Sequence, residues 1–169
     1  MKKILIIGAG AMGAAFTFPC LDNNHKVTLS EPYDLKLIRK LSFKKKFHPV
    51  LKINLPKKLN IKKFSKEILN YKWDLIVVAV SSLGIDLVKK NLKNAKNKCP
   101  VLVLTKGLKY DKNSKKIITM SEQLSIGNKF TVSSLKGPCL ANELARKIKS
   151  STVIANKNIK VAQSIGKLI

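Results

Sequence analysis

Apolar positions along the chain follow two alternating patterns. Short uninterrupted aliphatic runs are typical of strands buried on both faces, and they predict strands over residues 3–7, 26–30, 74–80, 101–105, 130–135 and 151–155. Between them, apolar residues recur at the spacing of helices with one buried face, which predicts helices over residues 14–21, 34–41, 65–71, 83–92, 115–124, 140–147 and 159–168. Residues 44–59 carry two prolines and a lysine triplet and are predicted to form a loop.

The alternation of strands and helices predicts an α/β fold. We expect a doubly wound, mostly parallel sheet with helices on both faces. The 169 residues are enough for one core of ordinary size, and the 45% hydrophobic fraction argues against disorder. A single domain over residues 1–169 is therefore expected.

A glycine-rich segment joins the first predicted strand to the first helix. Gly8, Gly10 and Gly13 form the pattern G-x-G-x-x-G. The first glycine permits a tight turn, the second lets a pyrophosphate approach the backbone, and the third lets the helix pack on the strand. N–H groups at the helix start then meet the phosphate oxygens. In this position the motif predicts a Rossmann-type dinucleotide-binding site.

One acidic residue suggests which dinucleotide binds. Glu31 ends the second predicted strand, where a carboxylate commonly binds the ribose 2′-hydroxyl and disfavours the 2′-phosphate of NADP. NAD is therefore expected over NADP. Three alternatives stay open: Glu31 is a surface acid beside a turn, Asp34 is the ribose ligand, or the nearby Lys36, Arg39 and Lys40 allow NADP to bind.

Net charge raises a different functional class. The chain carries 34 basic and 9 acidic residues, a formal charge of +25, and all but Arg39 and Arg146 of the basic residues are lysines. Nucleic-acid readers favour arginine, and Tyr71 and Trp73 precede a predicted buried strand instead of interleaving with a basic patch. Dispersed lysines are typical of a compositional bias, so no nucleic-acid partner is expected. A non-enzymatic basic protein that binds nucleotides or nucleic acid is the alternative.

Cysteines and histidines are too scattered for a disulfide scaffold or a zinc cluster. Cys20, Cys99 and Cys139 are far apart, and His25 and His48 are interpreted as ordinary surface or turn residues, so no metal is expected.

The basic, apolar start of the chain imitates a secretory signal, but its glycines suit the helix of such a signal poorly. No stretch reaches the roughly 18 apolar residues of a membrane span. A cytoplasmic location is therefore expected.

Three polar segments follow predicted strands. They cover residues 81–82, 105–108 and 136–145. Because ligands of doubly wound folds bind beyond the carboxyl ends of the strands, these segments predict a substrate edge. Lys106, beside a glycine and one of 32 lysines, is a candidate ligand for a substrate oxygen. Gly137 and Pro138 begin a helix whose N–H groups could also bind an oxygen.

Four ordered pieces of the chain resemble one enzyme family. They are GAGAMGAAF from Gly8, DLIVVAVSS from Asp74, LTKGL from Leu104 and GPCLANELA from Gly137. Together with the Leu-Pro at residues 55–56, they resemble the NAD(P)-dependent glycerol-3-phosphate dehydrogenases. Other reductases with a similar start, such as ketopantoate reductases, do not usually carry both of the last two pieces. The resemblance covers nearly the whole chain but only the N-terminal domain of the family.

The resemblance implies roles for individual residues. The implied cofactor-binding residues are Gly8, Gly10, Ala11, Met12, Gly13, Lys106 and Ala141. Lys106, Gly137 and Cys139 are implied to bind substrate, with Lys106 orienting it. The family usually has serine at the position of Cys139, and a thiol is a weaker hydrogen-bond partner. A packing role for Cys139 therefore stays open. The family also usually has Ser-Trp where this chain has Ala11 and Met12.

The family's reaction is reduction of dihydroxyacetone phosphate by a nicotinamide cofactor to sn-glycerol 3-phosphate, a glycerophospholipid precursor. Its proton-donating lysine lies in a helical C-terminal domain to which nothing in this chain corresponds. We therefore expect a fragment that binds NAD(H) but has little or no turnover alone, and the family suggests a possible homodimer. Another Rossmann-fold oxidoreductase acting on a small substrate is the alternative.

Overall fold

The computed structural model describes residues 1–43, 45–96 and 98–169. Its strands are β1 (Lys3–Ile7), β2 (Lys26–Glu31), β3 (Phe47–His48), β4 (Ile53–Asn54), β5 (Asn60–Lys63), β6 (Leu75–Val78), β7 (Val101–Val103), β8 (Leu108–Asp111), β9 (Lys116–Thr119), β10 (Val132–Lys136) and β11 (Val153–Ala155). Its helices are α1 (Ala11–Ala15), α2 (Thr17–Asp22), α3 (Leu35–Leu41), α4 (Lys66–Leu69), α5 (Ile85–Lys93), α6 (Met120–Ser125), α7 (Ala141–Ala145) and α8 (Ile159–Gly166), and a 3-10 turn covers Ser82–Gly84.

Seven of the strands form one sheet in the order β11-β10-β7-β6-β1-β2-β5. Neighbouring strands run parallel except β11, which pairs antiparallel with β10 at one edge. The order reverses direction beside β1, so the carboxyl ends of β1 and β6 flank the crevice in which doubly wound sheets bind ligands. The predicted α/β, doubly wound, mostly parallel fold is confirmed.

Two hydrophobic clusters cover the two faces of this sheet. Along β1, Ile4 and Ile6 belong to one cluster, while Leu5 and Ile7 belong to the other. All four side chains are fully buried. Successive side chains of a strand point to opposite faces, so only an uninterrupted apolar run can satisfy both clusters. No helix in the described part of the chain is long and apolar enough to cross a membrane.

The first predicted helix is divided into α1 and α2 at Phe16. Pro19 has no N–H to donate to the Ala15 carbonyl, so the helical hydrogen-bond ladder is interrupted there. Thr17 Oγ1 donates to the Ala14 carbonyl oxygen at 2.7 Å beside this break. The interruption keeps α1 short, and α1 directly follows the glycine-rich segment.

Two hairpins and an edge strand were not predicted. The predicted loop at 44–59, of which Lys44 lies outside the described residues, contains the β3–β4 hairpin, and the polar strand β5 pairs with β2.

The helix predicted over 115–124 is wrong in its first half, because residues 116–119 form β9 and pair with β8. The β-branched Ile117 and Ile118 favour a strand, and Thr119 then forms a capping box with Glu122 that starts α6.

Candidate cofactor and substrate site

The turn after β1 requires glycine at its first position. Gly8 has φ = +109°, a conformation that side chains disfavour, and a Cβ there would lie 2.6 Å from the Ala79 carbonyl carbon at the end of β6. Its N–H donates to the Ser30 carbonyl oxygen at 2.7 Å. The turn is therefore held between β2 and β6.

The other two glycines of the motif differ in their surroundings. A Cβ on Gly13 would overlap the Gly8 carbonyl oxygen, so α1 packs on the turn only because Gly13 has no side chain. A Cβ on Gly10 would have no neighbour within 4 Å. Gly8 and Gly13 therefore serve packing, whereas Gly10 faces open space that a phosphate group can fill.

Glu31 is engaged by the backbone around it. Its side chain is 7% exposed, and its Oε2 accepts from the Ala9 N–H at 2.6 Å. Its Oε1 accepts from the Tyr33 N–H at 2.8 Å and from the Asp34 N–H at 3.3 Å. The carboxylate therefore ties the glycine-rich turn to the end of β2, and ribose binding by Glu31 stays a prediction. Asp34 accepts from the Leu37 N–H at 2.8 Å and caps α3.

His48 is the residue that sequence reasoning missed. Its side chain is fully buried, which makes the prediction of an ordinary surface or turn residue wrong. His48 Nδ1 accepts from the Leu51 N–H at 3.2 Å, and its Nε2 lies 2.9 Å from the Ala9 carbonyl oxygen. Because Nδ1 accepts, the proton of the neutral ring is on Nε2, which donates to Ala9. No motif signals this contact, since the two residues are 39 positions apart.

Helix α7, which carries the predicted residue Ala141, packs against α1, the helix that follows the glycine-rich turn. Ala11, Met12 and Ala141 are partly buried and pack against the same hydrophobic cluster, in which α1 lies against α7. The structure therefore brings these three predicted cofactor residues to the side of the sheet on which α1 packs against α7. Their contact with a cofactor stays a prediction.

The predicted substrate edge is formed where β6, β7 and β10 end. Thr105 Oγ1 donates to the Val80 carbonyl oxygen at 2.7 Å, and Lys136 Nζ donates to the Thr105 carbonyl oxygen at 3.2 Å. Gly107 has φ = +133°, and a Cβ there would lie 3.6 Å from Ser82 Cβ. The three polar segments therefore converge, as the parallel topology predicts.

Two lysines make this edge cationic. Lys106 is exposed, whereas Lys136 is half-buried. Burial lowers the pKa of Lys136, and the positive charge of Lys106 lowers it further. Both ammonium groups therefore act on the same region, although only Lys106 was singled out as a site residue. The edge suits an anionic substrate group.

The two other predicted substrate residues lie at the turn after β10. Gly137 is exposed and has φ = +122°, and a Cβ there would lie 3.2 Å from the Ser151 carbonyl oxygen. Cys139 is 5% exposed, and its Sγ accepts from Ser150 Oγ at 4.0 Å. The burial of Cys139 is what the packing alternative requires, and its contact with substrate stays a prediction.

A groove of about 900 Å³ lies at the opposite end of the sheet. It is lined by the starts of β1 and β2, including Lys3 and Lys26, and by Tyr71 and Trp73. Ligands of this fold bind at the carboxyl ends of the strands, so the size of this groove does not make it the cofactor site. Among the described residues, no group of three His, Cys, Asp or Glu side chains could hold a metal ion.

This fold, with its open glycine turn and polar strand ends, places the chain in the class of Rossmann-type dinucleotide-binding domains. Residues 3–162 match the family model described as the NAD-dependent glycerol-3-phosphate dehydrogenase N-terminus. The chain belongs to this family.

Comparison with individual proteins agrees with the family match. The chain is 31% identical over 164 residues to glycerol-3-phosphate dehydrogenase [NAD(P)+] of Wigglesworthia glossinidia brevipalpis, covering 95% of this chain and 48% of the relative. The crystal structure of glycerol-3-phosphate dehydrogenase from Coxiella burnetii has the same fold, with a TM-score of 0.81 and 22% identity over 99% of this chain and 51% of that one. The chain thus spans about half the length of the curated relatives it matches.

Proposed function

We propose that this chain is the NAD(H)-binding domain of an NAD(P)-dependent glycerol-3-phosphate dehydrogenase. The assembled enzyme reduces dihydroxyacetone phosphate to sn-glycerol 3-phosphate and supplies glycerophospholipid precursors. Membership of the family supports this proposal. The observation that carries it is the contrast within the motif: Gly8 and Gly13 are tightly packed, whereas Gly10, between them in the sequence, faces open space.

The residues around this space fit a dinucleotide. Gly10 offers a backbone without a side chain, so a pyrophosphate can come within hydrogen-bond distance of the main chain. Ala11, Met12 and Ala141, partly buried where α1 packs against α7, would add small or flexible apolar surface. The bound cofactor supplies the hydride, while these residues bind and orient it.

The substrate edge supplies charge and orientation. Lys106, exposed and close to the half-buried Lys136, attracts the phosphate of the substrate and orients it. Gly137 and Cys139 contribute to the same edge. The group that donates a proton to the carbonyl oxygen belongs to a helical catalytic domain outside residues 1–169, so this chain alone has little or no turnover. The complete enzyme is cytoplasmic and homodimeric in this proposal.

Calorimetric titration of the purified chain tests cofactor binding. We expect saturable NADH binding that is tighter than NADPH binding. Gly10→Ala places a methyl group in the open space and weakens NADH binding about tenfold or more. Gly166→Ala in α8, where a Cβ meets only Ile154 at 3.8 Å, is the matched control and leaves affinity unchanged.

Two outcomes would contradict parts of the proposal. A folded chain that binds neither NADH nor NADPH does not contain a complete cofactor site. Equal affinity for both cofactors would remove the discriminating role assigned to Glu31. Sedimentation measurements on the chain test the homodimer separately.

A further inference from the structure

We propose that His48 is a positioning residue for the cofactor, because its Nε2–H fixes the orientation of the Ala9–Gly10 peptide in the glycine-rich turn. The proposal rests on the proposed function, since the cofactor that benefits is NAD(H). His48 itself touches no open space: its ring is fully buried, and it acts through Ala9.

The His48 ring is held on both sides. The Leu51 N–H donates to Nδ1 at 3.2 Å, so the β3–β4 hairpin fixes the plane of the ring. The opposite nitrogen, Nε2, lies 2.9 Å from the Ala9 carbonyl oxygen. One nitrogen accepts and the other donates, so both hydrogen bonds require the neutral Nε2–H tautomer.

Ala9 is held from both of its peptide groups. Glu31 Oε2 accepts from the Ala9 N–H at 2.6 Å, which fixes the Gly8–Ala9 peptide. His48 binds the Ala9 carbonyl, which fixes the Ala9–Gly10 peptide. Ala9 is itself fully buried. Both soft dihedrals of Ala9 are therefore fixed by side chains from β2 and β3.

Fixing this carbonyl determines where the next N–H points. A trans peptide is planar, so the Gly10 N–H is directed opposite to the Ala9 carbonyl. With the carbonyl bound to His48, the Gly10 N–H is turned away from the hairpin. Glycine adopts many backbone conformations, so without His48 this peptide has to be ordered when the cofactor binds. A turn whose backbone is already ordered loses less conformational entropy when the cofactor binds, so it binds the cofactor more tightly.

Two variants separate the two hydrogen bonds of His48. Glutamine has an amide nitrogen at the reach of Nε2 and can still donate to Ala9. Asparagine has an oxygen at the reach of Nδ1 and can accept from Leu51, but it is too short to reach Ala9. We expect His48→Asn to weaken NADH binding about tenfold and His48→Gln to stay within about threefold of the unaltered chain. Thermal unfolding of both variants reports any general loss of stability.

Equal NADH affinity in the two variants would overturn the proposal, as would unaltered affinity in His48→Asn. A lower melting temperature in both variants with weaker binding only in His48→Asn supports it. Asparagine leaves a larger gap than glutamine, so His48→Met, which has about the length of glutamine but no hydrogen-bond donor, is the control for space filling. We expect His48→Met to weaken NADH binding as His48→Asn does, and NADH affinity in His48→Met equal to that in His48→Gln would show that His48 merely fills space.

Nuclear magnetic resonance without cofactor gives an independent readout. In the unaltered chain, long-range ¹H–¹⁵N spectra are expected to show His48 as the neutral Nε2–H tautomer. Loss of the ring alters the Gly10 amide resonance in both variants, but it should shift much further in His48→Asn than in His48→Gln. A proton on Nδ1, or an unshifted Gly10 amide in His48→Asn, would overturn the proposal. If the unaltered chain does not bind NADH, the cofactor-binding proposal fails, and the Gly10 resonance alone decides the role of His48.

Discussion

The glycine-rich turn and the substrate edge lie at the same end of one sheet but differ in burial and in hydrogen bonding. In the turn, Ala9, Glu31 and His48 are buried and joined by hydrogen bonds of 2.6 and 2.9 Å. At the substrate edge, Lys106 and Gly137 are exposed. In the proposed function, cofactor binding depends on the fixed backbone of the turn, whereas substrate binding depends on accessible positive charge. Changes in the turn should therefore affect stability or affinity strongly, and changes at the edge only weakly.

The largest contrast is expected within the turn itself. Gly13→Ala forces a Cβ into the Gly8 carbonyl, and since that neighbour is backbone, relief requires α1 to move. We expect the free energy of unfolding to fall by about 3 kcal/mol. Gly10→Ala should change it by less than about 0.5 kcal/mol while weakening NADH binding. Urea denaturation of both variants measures this contrast, and equal destabilisation would contradict the division between packing and open glycines.

Glu31 should be the next most sensitive position. In Glu31→Gln, an NH₂ group replaces one of two oxygens that accept from backbone N–H groups, so donor faces donor. We expect a loss of about 2 kcal/mol of unfolding free energy. Asp34→Asn is the matched control, because asparagine caps helices as well as aspartate does and the same charge is removed.

The same pair of variants tests the choice of cofactor. If Glu31 binds the ribose, Glu31→Gln narrows the difference between NADH and NADPH affinity, and Asp34→Asn leaves it unchanged. The reverse result would assign the ribose to Asp34. If both variants keep the preference for NADH over NADPH, the role of Glu31 is limited to its hydrogen bonds with the backbone of Ala9, Tyr33 and Asp34.

The parts of the turn that sequence reasoning predicted are local in the chain. Gly8, Gly10 and Gly13 are spaced by the geometry of one strand, one turn and one helix, so the pattern predicts the tight turn at Gly8 and the close helix packing at Gly13, and the role of Gly10 toward a cofactor stays a prediction. His48 could not be found in this way. Its bond to Ala9 depends on where a later hairpin packs, and its own segment has too little apolar periodicity to predict even the hairpin.

Polarity explains the other omissions. The strand β5 consists of Asn60–Lys63 and is mostly exposed, so it lacks the apolar run by which β1, β6 and β7 were predicted. The hydrogen bonds of β5 to β2 hold it in the sheet, and they depend on the position of β2, which the sequence of β5 does not reveal. At the substrate edge, the pattern placed Lys136 in the right segment, but its proximity to Thr105 and Lys106 follows from the sheet order, which composition does not encode.

A smaller effect is expected from the two lysines of the substrate edge. The pKa of Lys136 is lowered by burial and by Lys106, so on raising the pH the folded chain loses this proton before the unfolded chain does. The unfolded state then binds more protons, and the contribution of Lys136 to stability increases with pH up to the ordinary lysine pKa of about 10.4. Lys106→Met should raise the pKa of Lys136.

The ¹³Cε resonance of Lys136 measures this pKa directly. The control is Lys112→Met, which removes an exposed lysine from the turn between β8 and β9. It should leave the titration of Lys136 unchanged. The same titration curve in Lys106→Met and the unaltered chain would show that the two ammonium groups do not act on each other.

The smallest effect is expected at Cys139, where it distinguishes two roles. If the buried thiol only packs beside Ser150, Cys139→Ser and Cys139→Ala each cost about 1 kcal/mol of unfolding free energy and neither changes ligand binding. If Cys139 lines the substrate site, Cys139→Ser supplies the stronger hydrogen-bond partner, and it alone strengthens binding of glycerol 3-phosphate in the presence of NAD⁺. Saturation-transfer NMR with that ligand separates the outcomes. Tighter binding in Cys139→Ser would show that the substrate edge also contains a buried contact residue. The turn and the substrate edge would then differ less than the comparison above states.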